Sequence, residues 1–123
     1  MDMYRDIILD HYKHPRNFGT LPTYTHRAQA ANVTCGDSIT VELMIDERGK
    51  IVDVKFIGEG CAISQASASL LTEKIKNMDR TNIIALATDD VLSLLGTMLT
   101  PSRLKCALLP LEVIQKAIGV KLS

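Results

Sequence analysis

ITVELMIDERGKIVDVKFI, residues 39–57, decides the fold. Ile39, Val41, Leu43 and Ile45 alternate with Thr40, Glu42 and Met44, the period-2 pattern of a strand with one face toward a core. DERGK reads as a turn, and Ile51, Val52, Val54, Phe56 and Ile57 supply a second strand. Two such runs joined by a short turn containing glycine predict an antiparallel hairpin. A weaker strand over residues 26–33 is expected at its edge.

Outward from the hairpin the period changes to that of helices. Upstream, Tyr4, Ile7, Ile8, His11 and Tyr12 recur at helical spacing and Pro15 closes the pattern, predicting a helix over residues 2–13 and then a loop, HPRNFGTLPTY. Downstream, a helix is expected over residues 61–77, with Ile63, Ala66, Leu70, Leu71, Ile75 and Met78 on one side. A short helix over 82–87 follows Thr81 as its cap. TDDVLSLLG adds another, with Asp at its start and Gly96 at its end. TPSRLKCALLPLEVIQKAIG opens with Thr-Pro, a good helix start, but contains Pro110. The spacing there predicts a kink or two short helices, the second ending at Gly119. Strands precede most helices without βαβ alternation, so the class is α+β: a small antiparallel sheet of about three strands with helices packed on it.

The chain has 123 residues, enough for one core and one domain, residues 1–123. Fourteen basic and 14 acidic side chains give a formal net charge of zero, and aromatic residues make up 4%. That composition offers neither an electrostatic footprint nor stacking groups for nucleic acid. No stretch approaches the ~20 apolar residues of a membrane span, and the N-terminus lacks the apolar block of a signal peptide. The expectation is a cytoplasmic protein with no nucleic-acid or membrane partner.

The chemistry is concentrated near NVTCGDSITV, residues 32–41. A carboxylate two residues from a thiol opposes thiolate formation unless both face one positive charge. Cys35 precedes the first hairpin strand and Cys61 follows the second, so the down-and-back path brings both to one end of the pair. Cys61 also opens a helix, where backbone N–H groups favour a thiolate, and Gly58 and Gly60 beside it permit a tight turn. Cys106 lies 45 residues beyond Cys61, near the start of the last helical segment. Three cysteines exclude a closed disulfide framework in the monomer. With Asp37 they would complete a four-coordinate site for zinc or for an iron–sulfur cluster, although no C-x-x-C spacing is present. One hard oxygen among three sulfurs would hold a cluster less firmly than four thiolates. The alternative leaves Cys61 and Cys106 as core residues and Asp37 as a turn former.

TCGDSITVEL, FIGEGCAISQASASLLTE and PSRLKCALLPLEVIQKAI resemble the three cysteine segments of the U-type iron–sulfur cluster assembly scaffolds, the family of IscU, SufU and the N-terminal domain of NifU. DHYKHPRNFG resembles the family's N-terminal segment, and the likeness extends over almost the whole chain. The resemblance implies a SufE/NifU-like α+β domain whose Cys35, Asp37, Cys61 and Cys106 bind a transient [2Fe–2S] cluster, or zinc at the same ligands. It implies a carrier rather than an enzyme. A cysteine desulfurase would supply persulfide sulfur, and acceptor apoproteins would receive the cluster. Cys106 is the expected persulfide acceptor.

Two departures qualify the resemblance. Lys105 stands where IscU-type scaffolds usually have His; it cannot ligate as an ammonium, but its charge would favour the Cys106 thiolate. A basic residue there resembles SufU-type, zinc-dependent sulfurtransferases, in which Cys35 would be the acceptor. Yet the 45-residue interval from Cys61 to Cys106 has no room for the SufU insertion. LTPSRLKC also replaces the family's chaperone-binding segment, so a dedicated chaperone is not carried over. His11, His14 and His26 lack ligand spacing to any cysteine and are expected to be surface or hydrogen-bonded residues. The small residues of SQASAS, 64–69, are expected to permit close packing near the site. Tyr4 and its helix face are a desulfurase contact by resemblance.

Overall fold

The hairpin forms where the alternation places it. β2 (Asp37–Ile45) pairs antiparallel with β3 (Ile51–Glu59), and β1 (His26–Asn32) pairs antiparallel with the other edge of β2, in the order β1-β2-β3. The computed structural model describes residues 3–33 and 36–119. Its helices are α1 (Met3–Lys13), α2 (Ala62–Ile75), α3 (Arg80–Ile84), α4 (Thr88–Leu95) and α5 (Pro101–Ala117). This is the α+β architecture expected. None of the described helices is long and apolar enough to cross a membrane.

Register explains the core. Val41 pairs with Ala28 on one side and Phe56 on the other, while Leu43 pairs with His26 and Val54. Ala28, Val41, Leu43, Val54 and Phe56 are all buried beneath α2 and α5. At roughly 1.5–3 kcal/mol for each fully buried large apolar side chain, this inner face holds the sheet to the helices. α1 packs on α2, one layer further out. The opposite sheet face is partly covered: the loop after α1 folds over it, so that the Leu21 N–H donates to Glu42 Oε1 at 2.8 Å.

Three expectations require correction. Of the two alternatives at Pro110, the break into two short helices is not taken: α5 runs as one helix through it. Proline cannot donate to the carbonyl four residues back, which costs about 3 kcal/mol. Ala107, Leu109, Leu111, Val113 and Ile114 around it are buried and hold the helix across that defect. The Ser67 hydroxyl on α2 adds a hydrogen bond to the Ala107 carbonyl at 2.6 Å, so SQASAS supplies a donor as well as small size.

α3 begins at Arg80 after Asp79, not after Thr81. Asp79 bridges to Lys50, and the Arg80 N–H donates to the Gly49 carbonyl at 2.9 Å, so pairing with the hairpin turn sets where the helix starts. The strands also reach further than their apolar runs. β2 starts at Asp37 and β3 continues to Glu59, because backbone pairing persists after side-chain alternation ends. α4 matches its reading, with the Asp90 carboxylate accepting from the Ala87 N–H and Gly96 in the left-handed region at φ 76°.

Candidate metal centre

Antiparallel pairing sets one end of the sheet apart. Ser38 pairs with Glu59, so the first residue of β2 and the chain leaving β3 emerge side by side. Asp37 is that first residue and is 1% exposed. Cys61 follows β3 and stands at the N-cap of α2, one position before its first turn. Cys106 lies in the second turn of α5, which packs across β1 and β2. Cys35 lies outside the described residues.

Asp37, Cys61 and Cys106 are brought together, with one ligand atom from each lying within 4.8 Å of the others. Cys61 Sγ is 3.9 Å from Asp37 Oδ2. Two thiolates bound at about 2.3 Å to one tetrahedral ion stand ~3.8 Å apart, so a small contraction converts this cluster into three ligands. The donor set, two sulfurs and a carboxylate oxygen, suits zinc and equally iron in a sulfide-bridged cluster. The residues present fit either group.

The two oxygens of Asp37 have different partners. Oδ1 accepts from the Cys61 backbone N–H at 2.8 Å, and Oδ2 faces the Cys61 sulfur. Cys61's own amide is therefore directed at the carboxylate. The Ser64 hydroxyl donates to the Cys61 carbonyl at 3.1 Å, closing the first turn of α2. Sequence reasoning missed both contacts; the signal available was Gly-Cys-x-x-Ser directly after a strand. Cys61 is open to solvent, whereas Cys106 is 4% exposed and its thiol contacts the Ser102 carbonyl at 3.6 Å. Lys105 is exposed and, as the preceding helical residue, sits about 100° around α5 from Cys106.

No histidine joins the group formed among the described residues. His11 is buried and its Nδ1 lies 2.7 Å from Ser69 Oγ, which also accepts from the Arg16 N–H. The other ring nitrogen, Nε2, lies 4.0 Å from Glu73 Oε1. Burial, helped by the Arg16 charge, holds the His11 pKa below the ordinary histidine range despite Glu73 and Asp10. Burial likewise lowers that of His26, which contacts Thr25.

Comparison with known proteins follows this geometry. The family model for the NifU-like N terminal domain matches residues 3–120. The chain is 37% identical over 135 aligned positions to the zinc-dependent sulfurtransferase SufU of Bacillus subtilis, covering 95% of this chain and 90% of the relative. It is 34% identical over 120 positions to the iron–sulfur cluster assembly enzyme IscU of Drosophila melanogaster, covering 95% and 77%. The solved structure of FiSufU from Fervidobacterium islandicum AW-1, a protein of the SUF system, superposes with a TM-score of 0.79 at 28% identity, covering 93% and 95%. The alignment with Bacillus SufU is longer than this chain, so that relative carries residues lacking here. With a U-type fold and one family model spanning almost its whole length, the chain belongs to the family of NifU-like N-terminal domains that includes IscU and SufU proteins.

Proposed function

We propose that this chain is an iron–sulfur cluster assembly scaffold. It accepts sulfur from a cysteine desulfurase, holds a transient [2Fe–2S] cluster on Cys35, Asp37, Cys61 and Cys106, and passes it to acceptor apoproteins. The observation that carries this reading is the convergence of Asp37, Cys61 and Cys106 from three separate elements onto one end of the sheet. A protein built only to keep a metal would gain from a fourth cysteine; an oxygen ligand beside an open Cys61 suits one that releases its cargo.

Sulfur acceptance is assigned to Cys106. Its thiolate attacks the outer sulfur of the desulfurase persulfide, that S–S bond breaks, and the desulfurase cysteine leaves as a thiolate. Electrons and sulfur balance without an added oxidant. Lys105, one residue away, favours the attacking thiolate by charge. Cys106 is largely covered, so the incoming sulfur approaches from the open side, where Cys61 stands.

A second reading has specific support. The 37% identity to the Bacillus sulfurtransferase and the basic residue at position 105 favour a zinc-holding sulfur relay in which Cys35 is the acceptor. The extra length of that relative argues the other way. Anaerobic reconstitution with iron, cysteine and a cysteine desulfurase separates the two. A [2Fe–2S] absorption spectrum with about two irons per cluster is expected. Retained zinc, no cluster and a stimulated desulfurase would replace the scaffold reading with the relay.

A further inference from the structure

The glycines of the GEG segment before Cys61 face different neighbours. A side chain at Gly58 would meet the sheet itself, 2.6 Å from the Ser38 carbonyl oxygen and 2.7 Å from Ile39 Cδ1. A Cβ on Gly60 would instead overlap Asp37 Oδ1 and lie 2.7 Å from Asp37 Cγ and 2.9 Å from its Cα. Gly36, the residue directly before Asp37, has nothing within 4 Å of its Cβ direction apart from its own chain neighbours. The three atoms nearest a Gly60 Cβ thus all belong to Asp37, two of them to its carboxylate and one to its backbone.

That carboxylate has no room to retreat, since Asp37 is 1% exposed. Its Oδ1 lies in the space left by the missing Gly60 side chain and accepts from the next amide, that of Cys61, at 2.8 Å. With Oδ1 seated there, Oδ2 lies 3.9 Å from Cys61 Sγ. We propose that Gly60 is a positioning residue for Asp37. Its bare backbone lets the carboxylate spend one oxygen on the Cys61 amide and present the other, singly, to an ion shared with Cys61 and Cys106. This rests on Asp37 being a ligand, as in the function proposed above. It adds that the oxygen ligand is one-armed because of the residue before Cys61.

Gly60→Ala has two separable consequences. Gly60 has φ 137°, so any L-residue there strains the backbone whether or not Asp37 is present. Displacement of the carboxylate needs Asp37. A double-mutant cycle read by metal affinity isolates the second effect. Co2+ is titrated alone into the reduced full-length protein, its Gly60→Ala and Asp37→Ala variants and the double variant. Thiolate-to-cobalt charge transfer reports the sulfurs, the d–d bands report the oxygen ligand, and chelator competition gives the affinity. Circular dichroism checks the fold.

Gly60→Ala is expected to weaken Co2+ binding by about 10–100-fold, as for lost support of a ligand, and to shift the d–d bands to those of Asp37→Ala. In the double variant it should add almost no further loss. Wild-type affinity and bands in Gly60→Ala, or the same further loss in the Asp37→Ala background, would overturn the role of Gly60 while leaving the ligand set intact. Absence of thiolate-to-cobalt charge transfer in the wild type would remove the ligand set itself. Should Gly60→Ala fail to fold, the double variant decides. Folding restored by Asp37→Ala supports the collision, and failure in both shows that the backbone alone requires glycine.

Discussion

Two aspartates close the two ends of β2, and they are used in opposite ways. Asp46, just beyond the strand in the hairpin turn, is exposed and directs Oδ1 at the backbone N–H groups of Arg48 and Lys50, each at 2.9 Å. Those hydrogen bonds, the one from Lys50 foremost, hold its pKa below the ordinary carboxylate value. Asp37, at the other end, is buried, accepts one backbone N–H and turns its second oxygen to a thiol. Asp46 spends its charge on the turn. Asp37 keeps an oxygen in reserve, in a place where burying a carboxylate without a counter-charge is costly. Burial combined with leftover ligand capacity separates a site aspartate from a structural one.

The largest expected effect falls on the reserve end. Cys106→Ser should abolish sulfur acceptance, read by mass spectrometry of the intact protein after desulfurase treatment; full persulfidation would move the acceptor to another cysteine. The next test exchanges the two aspartates' fates. Asp37→Asn keeps the shape and the hydrogen bond from Cys61 but loses the charge, and should weaken zinc affinity by about 10–100-fold with little change in circular dichroism. Asp46→Asn should leave zinc affinity unchanged and lower the melting temperature slightly. A zinc defect from Asp46→Asn, or none from Asp37→Asn, would erase the distinction drawn here.

The smallest effect is a pH dependence in the helical layer. His11 has a folded pKa below the ordinary 6.5, so the folded protein binds fewer protons than the unfolded chain between those two values. Stability is therefore full above about pH 6.5 and falls as pH drops from there toward the folded pKa. Asp46, whose pKa is lowered from 3.8, contributes stability that is lost only in far more acid solution. Thermal melts between about pH 8 and 5 should show the decline, and His11→Gln should reduce it to the part that His26, whose pKa burial also lowers, contributes. Amide exchange should rise in α1 before it rises in the hairpin turn, and the reverse order would refute this account of His11.

Much of the molecule was readable from local pattern. The hairpin, the edge strand, α4 and its Gly96 end follow from spacing over a few residues, as does the expectation that the start of β2 and the exit of β3 share one end. The family resemblance rested on motifs of the same kind. The limits were equally local. Pro110 argued for a break, and Thr81 argued for a cap, because neither residue reports on partners distant in sequence. His11 read as an ordinary helical residue until Ser69, 58 positions away, met its ring.

The sequence by itself determined the strands, most helices, the sidedness of the hairpin and the ligand types available, because side-chain period and turn chemistry act between near neighbours. Only the tertiary structure brought Cys106 to Asp37 and Cys61, carried α5 through its proline as one helix, and divided the two oxygens of Asp37 between an amide and a thiol. These depend on contacts between elements 24 to 40 or more residues apart in sequence. That packing is set by the summed burial of a whole face, a quantity that no short stretch of sequence contains.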